Sequence, residues 1–159
     1  MLRTTVFMIL VAAGIAACAD RDQSEAPLLV GAWRIVETTT PDGTVNPSPQ
    51  PSLYIFADRH YSMVRVIGSE ARPLLADTAT RSTITDAEMR TIFMPFVSNS
   101  GTYELQGSTL VNRPTVSLWP NFMAGGSDTS EISLAGDTLR ITQRSGAAAN
   151  ARWTLIRQE

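Results

Sequence analysis

The single histidine, His60, stands in the run "DRHYS", with Asp58, Tyr61 and Ser62 beside it. An imidazole titrates near neutral pH, as a general base must. Ser62 lies two residues along a strand from His60, on the same face but too far for direct proton transfer. No Gly-x-Ser-x-Gly elbow presents a nucleophile, so His60 reads as a residue that orders a hairpin turn. Glu37, Glu104 and Glu131 fall on different segments, no two of them at glycosidase spacing. They read as solvated strand faces. One His and one Cys make no zinc ligand set, and no Gly-rich phosphate loop is present. The sequence therefore nominates no catalytic residue, metal or cofactor, and an enzyme is the least supported of the function classes.

Binding chemistry is better represented. Arg65 and Arg113 occur within apolar, β-branched runs, "HYSMVRVIG" and "STLVNRPTVSL". An arginine there must be paired or face solvent, and one that points inward can grip a ligand carboxylate with two parallel hydrogen bonds. Tyr61, Tyr103 and Phe93 add aromatic surface with two phenolic handles. Ligand sites combine such apolar walls with a few polar groups. The expected ligand-binding set is Tyr61, Arg65, Phe93, Tyr103 and Arg113.

Cys18 is the only thiol in 159 residues. It follows Arg3 and the apolar run "TVFMILVAAGIAA" (Thr5 to Ala17), the layout of a secretory signal. That run is shorter than the ~20 apolar residues needed to span a bilayer. "IAAC" resembles the lipobox of bacterial lipoproteins, in which the Cys is acylated and becomes the mature N-terminus. The resemblance implies three acyl chains. One chain binds a membrane marginally, whereas two or more anchor it stably. Ala19, rather than Asp, follows the Cys, which by the same resemblance favours the periplasmic face of the outer membrane in a Gram-negative cell. Expected organisation is a signal at 1–17, a polar tether at 18–27 and a folded domain at 28–159. With Cys18 acylated, neither disulfide nor thiolate chemistry remains.

All 13 basic residues are arginine and the net charge is −2, so no basic face for nucleic acid is expected. Composition does not fix the oligomeric state.

The folded part must position these residues with strands. Eight short runs rich in Val, Ile, Thr and Tyr begin at "LVGAWRIVETT" and end at "ARWTLIRQ". They are separated by turns such as "PDG", "ADRH", "LQGS" and "LAGD". One segment, 82–96, reads as a helix. Thr85 and Glu88 form a capping box, and Met89, Ile92, Phe93 and Phe96 share one helical face. Pro95 ends it. That apolar face is expected to cover the open end or flank of a sheet, where it could act as a lid. The expectation is an all-β protein, an eight-stranded antiparallel up-and-down barrel with one short helix. A β-sandwich is the alternative.

Gly31-Ala32-Trp33 in "VGAWRIVE" resembles the Gly-x-Trp signature of lipocalins and related calycin barrels. In that group the Trp plugs the closed barrel end beneath an Arg of the last strand. The resemblance implies that role for Trp33, with Arg152 or Arg157 as the cover, Arg152 being preferred. "YIFADRHYSMVRV", "PFVSNSGTYEL" and "GDTLRIT" extend the likeness, in order, to bacterial lipocalin-like domain proteins. The implied function is binding of a small lipophilic or amphipathic molecule at the cell envelope. A filled barrel used for structure or protein contact is the alternative.

Overall fold

The computed structural model describes residues 26–146 and 148–159; Cys18, the apolar run before it and most of the expected tether lie outside them. A four-residue turn, α1 (Ala26–Leu29), starts inside the stretch expected as tether. The strands are β1 (Gly31–Thr39), β2 (Val45–Asn46), β3 (Ser52–Ala57), β4 (His60–Val66), β5 (Phe96–Gln106), β6 (Thr109–Ser117), β7 (Asp128–Ala135), β8 (Thr138–Gln143) and β9 (Arg152–Gln158). Two further helices occur, α2 (Asp86–Phe93) between β4 and β5, and α3 (Pro120–Met123) between β6 and β7.

Every strand pairing is antiparallel, and the order follows the chain from β1 through β3 to β9. β9 then returns to pair with β1, from Ala32↔Gln158 to Thr39↔Arg152. That last ladder closes the sheet and decides against a sandwich: the protein is an eight-stranded antiparallel up-and-down barrel. Closure leaves no long unpaired edge. The two-residue β2 pairs with the end of β1 outside the ring; it is too short for its alternation to be read from sequence.

Two register shifts bend the wall. One lies between Ile35 and Glu37 in β1, the other between Ser100 and Gly101 in β5. At the second, the neighbouring strand comes so close that a Cβ on Gly101 would sit 2.0 Å from the Arg113 carbonyl oxygen. Only glycine fits there. Such bulges sharpen the local twist that a small barrel needs.

Alternation sorts each strand into an inner and an outer face. Inner residues meet across the ladders: Phe56 with Tyr61, Tyr54 with Met63, Leu139 with Leu155, and Ile141 with Trp153. All eight are buried. Toward one end the interior is apolar, with Trp33, Phe56, Leu110, Leu139 and Leu155 fully enclosed. Toward the other it turns polar, through Asn99, Asn112, Asp128, Ser130 and Gln143.

α2 begins as expected. Thr85 caps it, accepting from the Glu88 amide while the Glu88 carboxylate accepts from the Thr85 amide. Its covering role is weak. No residue of α2 is buried; Met89 and Ile92 are half-buried and Phe93 is 38% exposed. Arg72 ties the segment down, donating to the Ile92 carbonyl at 3.2 Å and lying over the Phe96 ring.

Candidate functional site

The closed end is built around Trp33. Its indole Nε1–H donates to the Leu29 carbonyl at 2.9 Å, so α1 is held across the barrel floor. Arg157 covers the ring, its guanidinium carbon 4.2 Å from the ring centroid. Arg157 also donates to the carbonyls of Val30 (2.8 Å) and Leu28. Gly31 makes room for this: its φ is +144°, and a Cβ there would meet Arg157 Nη1 at 2.4 Å. Arg152, the residue preferred from sequence, does not take the position. β9 alternates, so Trp153, Leu155 and Arg157 face inward while Arg152 faces solvent.

His60 belongs to the same end. It opens β4 opposite Ala57 and is exposed, and no catalytic partner converges on it. Tyr103 is buried against the floor, edge-on to Phe56 at 5.3 Å.

The open end is framed by the connections 40–51, 67–95, 118–127 and 144–151. Below it lies a cavity of about 220 Å³. Tyr54, Tyr61, Met63 and Ile141 form its apolar depth, and Arg65, Asn99, Asn112, Asp128 and Gln143 bring polar groups to its wall. Trp119 and Phe122, at the α3 turn, stand at its mouth with Ala148 of the β8–β9 connection. α2 contributes nothing to the lining. The lid expected from Met89, Ile92 and Phe93 is thus displaced in the structure by α3, whose Trp119 is 56% exposed.

Of the five residues expected to bind ligand, Tyr61 and Arg65 line this cavity. Tyr103 is below it. Phe93 is outside the barrel on α2. Arg113 faces outward and pairs with Glu104 at 3.5 Å. Arg113 alternates with Asn112 and Pro114, and that strand turns Asn112 to the lumen instead.

Arg65 is the unusual interior group. Its guanidinium lies over Trp153, 4.7 Å from the ring centroid, while its Nε is buried with no hydrogen-bond partner. Tyr61 Oη and Asn112 Oδ1 are likewise buried and unpartnered among the described residues. Ser130 and Gln143 are satisfied, Ser130 Oγ donating to Gln143 Oε1 at 3.0 Å. A buried polar group without a partner costs about 1–3 kcal/mol. Tyr103 Oη, below the cavity, is a fourth such atom; the other three line the cavity from β4 and β6, where a polar ligand would satisfy them.

Electrostatics sharpen the picture. Asp128 faces the same lumen, and burial pushes its carboxyl above the ordinary value while the Arg65 charge pulls it part of the way back. Burial also raises the phenols of Tyr54 and Tyr61, so both stay protonated at neutral pH. The ion pairs among the described residues are Arg113–Glu104, Arg144–Glu131 and Arg157–Asp137. Arg65 and Asp128 therefore share the interior without joining.

Arg65 and Trp153 also border a second cavity, of about 180 Å³, under the β1–β3 connection with Thr39, Gln50 and Ile67. Their stacked pair is the partition between the two spaces.

Asp128, Asn112 and Trp153 were not singled out from sequence. The available signal was alternation: Leu139-Ile141-Gln143, Ile132-Ser130-Asp128 and Leu155-Trp153 are every-second-residue series that run from the apolar end toward the polar one.

The fold is similar to that of a lipocalin-like protein from Bacteroides uniformis ATCC 8492, at 16% identity and a TM-score of 0.49, covering 82% of this chain and 98% of that one. It is also similar to an uncharacterised protein from Bacteroides eggerthii DSM 20697, at 14% identity and a TM-score of 0.46, covering 82% and 99% respectively. No family model and no curated protein matches the sequence.

Proposed function

We propose that the barrel is a binding module that holds a small amphipathic molecule at the cell envelope, the chain being tethered to the membrane through an acylated Cys18. The observation that carries the binding reading is Arg65: a guanidinium inside the barrel, stacked on Trp153, with a buried Nε that no group among the described residues satisfies. An anionic oxygen in the cavity satisfies it. The apolar depth around Tyr54, Met63 and Ile141 takes the rest of the molecule. Size limits the choice. An engineered cavity of about 150 Å³ accepts benzene, so 220 Å³ suits one ring or a short chain with a polar tail. A long acyl chain needs the partition to move.

An interaction module is the second reading. It is favoured by the outer face of β3 and β4, where Leu53 and Val64 pair directly beside Ile55 and all three are exposed. A filled interior would support it, whereas the lumen holds a cavity of about 220 Å³.

Calorimetric titration of the full chain with short fatty acids, isoprenoids and aromatic acids tests the binding reading. Arg65→Gln should weaken an anionic ligand about ten- to a hundredfold, the worth of a lost charge-assisted hydrogen bond. It should leave a neutral analogue nearly unchanged. If no compound in the panel binds more tightly than about millimolar, the binding reading fails and the interaction module replaces it.

A further inference from the structure

Arg65 alone would accept any anion of the right size. The opposite wall narrows the choice. Asn112 and Asp128 are directly paired across β6 and β7, and both line the cavity. They set two oxygen acceptors side by side: a carboxylate and an amide Oδ1 that is buried without a donor among the described residues. β4, which carries Arg65, is two strands from β6 and three from β7 round the ring, so the donor and the acceptors converge on one space from separated parts of the wall. A simple anion would satisfy Arg65 but would leave Asn112 Oδ1 unpaired and face the charge on Asp128. A simple amine would do the reverse. The two charged groups do not neutralise each other directly, and the stack on Trp153 holds Arg65 in place.

We infer that the lumen recognises a zwitterion about the size of an aromatic amino acid, its carboxylate on Arg65 and its ammonium on Asp128 and Asn112. This rests on the binding reading above and specifies the ligand class for the same cavity. The aromatic body packs among Tyr54, Tyr61 and Trp153. A ring with a short charged tail has about the volume the cavity provides, on the benzene scale.

Three probes of one skeleton separate the contributions: phenylalanine, 3-phenylpropionate, which lacks the ammonium, and 2-phenylethylamine, which lacks the carboxylate. Titrated calorimetrically into the full chain, phenylalanine should bind at least about tenfold more tightly than either half. Asp128→Asn should bring phenylalanine down to the level of 3-phenylpropionate, and Arg65→Gln to that of 2-phenylethylamine. Circular dichroism and melting curves establish that each variant is folded, and the comparison of probes on the parent protein needs no variant at all. Equal binding of phenylalanine and 3-phenylpropionate overturns the zwitterion assignment and leaves the binding module standing. If all three probes fail while a neutral or purely anionic compound from the wider panel binds, the assignment is again wrong. Failure of both panels removes the binding reading beneath it.

Discussion

Two arginines of the last strand differ in consequence because of one alternation. Arg157 lies over Trp33 and satisfies two backbone carbonyls, whereas Arg152 faces solvent. Arg157→Ala should therefore cost about 1.5–3 kcal/mol, the worth of its charge-assisted hydrogen bonds, and Arg152→Ala should stay within about 0.5 kcal/mol. Trp33→Ala should cost about 3–5 kcal/mol. Urea denaturation of the three variants gives the order, and an Arg152→Ala loss equal to that of Arg157→Ala would contradict the floor geometry. Asp128 makes a prediction of the opposite sign. Its carboxyl is raised by burial from an ordinary value of 3.8. The native state then binds the proton more tightly than the unfolded chain, so stability falls as pH rises from the ordinary value through the raised one. Asp128→Asn should melt higher than the parent at neutral pH, with the gap closing near pH 3.8. A lower melting point at neutral pH would mean that attraction to Arg65 outweighs burial.

Elements respond to substitution according to how they are held. α2 has a complete capping box but no buried residue. Thr85→Ala should cost about 1 kcal/mol, and the cost should be local. Hydrogen exchange over residues 86–93 should quicken while the global melting temperature barely moves. The bulge where β6 passes Gly101 of β5, with Thr115 as its extra residue, is different. A Cβ on Gly101 would lie 2.0 Å from the Arg113 carbonyl oxygen and 2.7 Å from the Pro114 Cα, so an added methyl meets backbone, not a side chain that can swing aside. Gly101→Ala should cost at least the ~1–3 kcal/mol typical of overpacking, measurable as a global loss in chemical denaturation. An unchanged midpoint would show that the two strands can separate there without penalty. The same bulge sets the levels at which Asn99, Tyr103 and Asn112 stand in the lumen, so a local backbone requirement reaches the site.

At the scale of the whole molecule the barrel is polarised along its axis, and the two ends answer to different demands. The floor is apolar and stapled by Arg157, Trp33 and α1. The mouth is polar, framed by loops, and carries the exposed Trp119. Small barrels fill their interior with side chains or hold one small ligand, and here the fill stops at the level of Met63 and Ile141. The membrane address is a separate proposal, carried by "IAAC" after an apolar run. Labelled palmitate should be incorporated by the parent chain and not by Cys18→Ser, which should also leave the membrane fraction. A Cys18→Ser protein that still pellets with membranes would refute acylation as the anchor.

The sequence by itself determined the eight barrel strands and the capped helix, while the plugging role of Trp33 came from the resemblance of Gly31-Ala32-Trp33 to a known signature. Strands and helix depend on period-two alternation, turn residues and local hydrogen bonds, all of which act within a few residues. Trp153 and Leu155 mark the inner face of β9 in the sequence too, and the same alternation puts Arg157 and not Arg152 on that side. In β6 the signal was silent, because Leu110 and Val111 are both apolar and either face could have been the inner one. Arg113 was therefore as good a candidate as Arg65. Only the tertiary structure decided that β1 and β9 meet, that Arg65 enters the lumen, and that Asn112 and Asp128 stand on the wall facing it. Alternation fixes which residues of one strand share a side. Which residues of distant strands share a level depends on register and closure, and those are set by the packing of the whole ring.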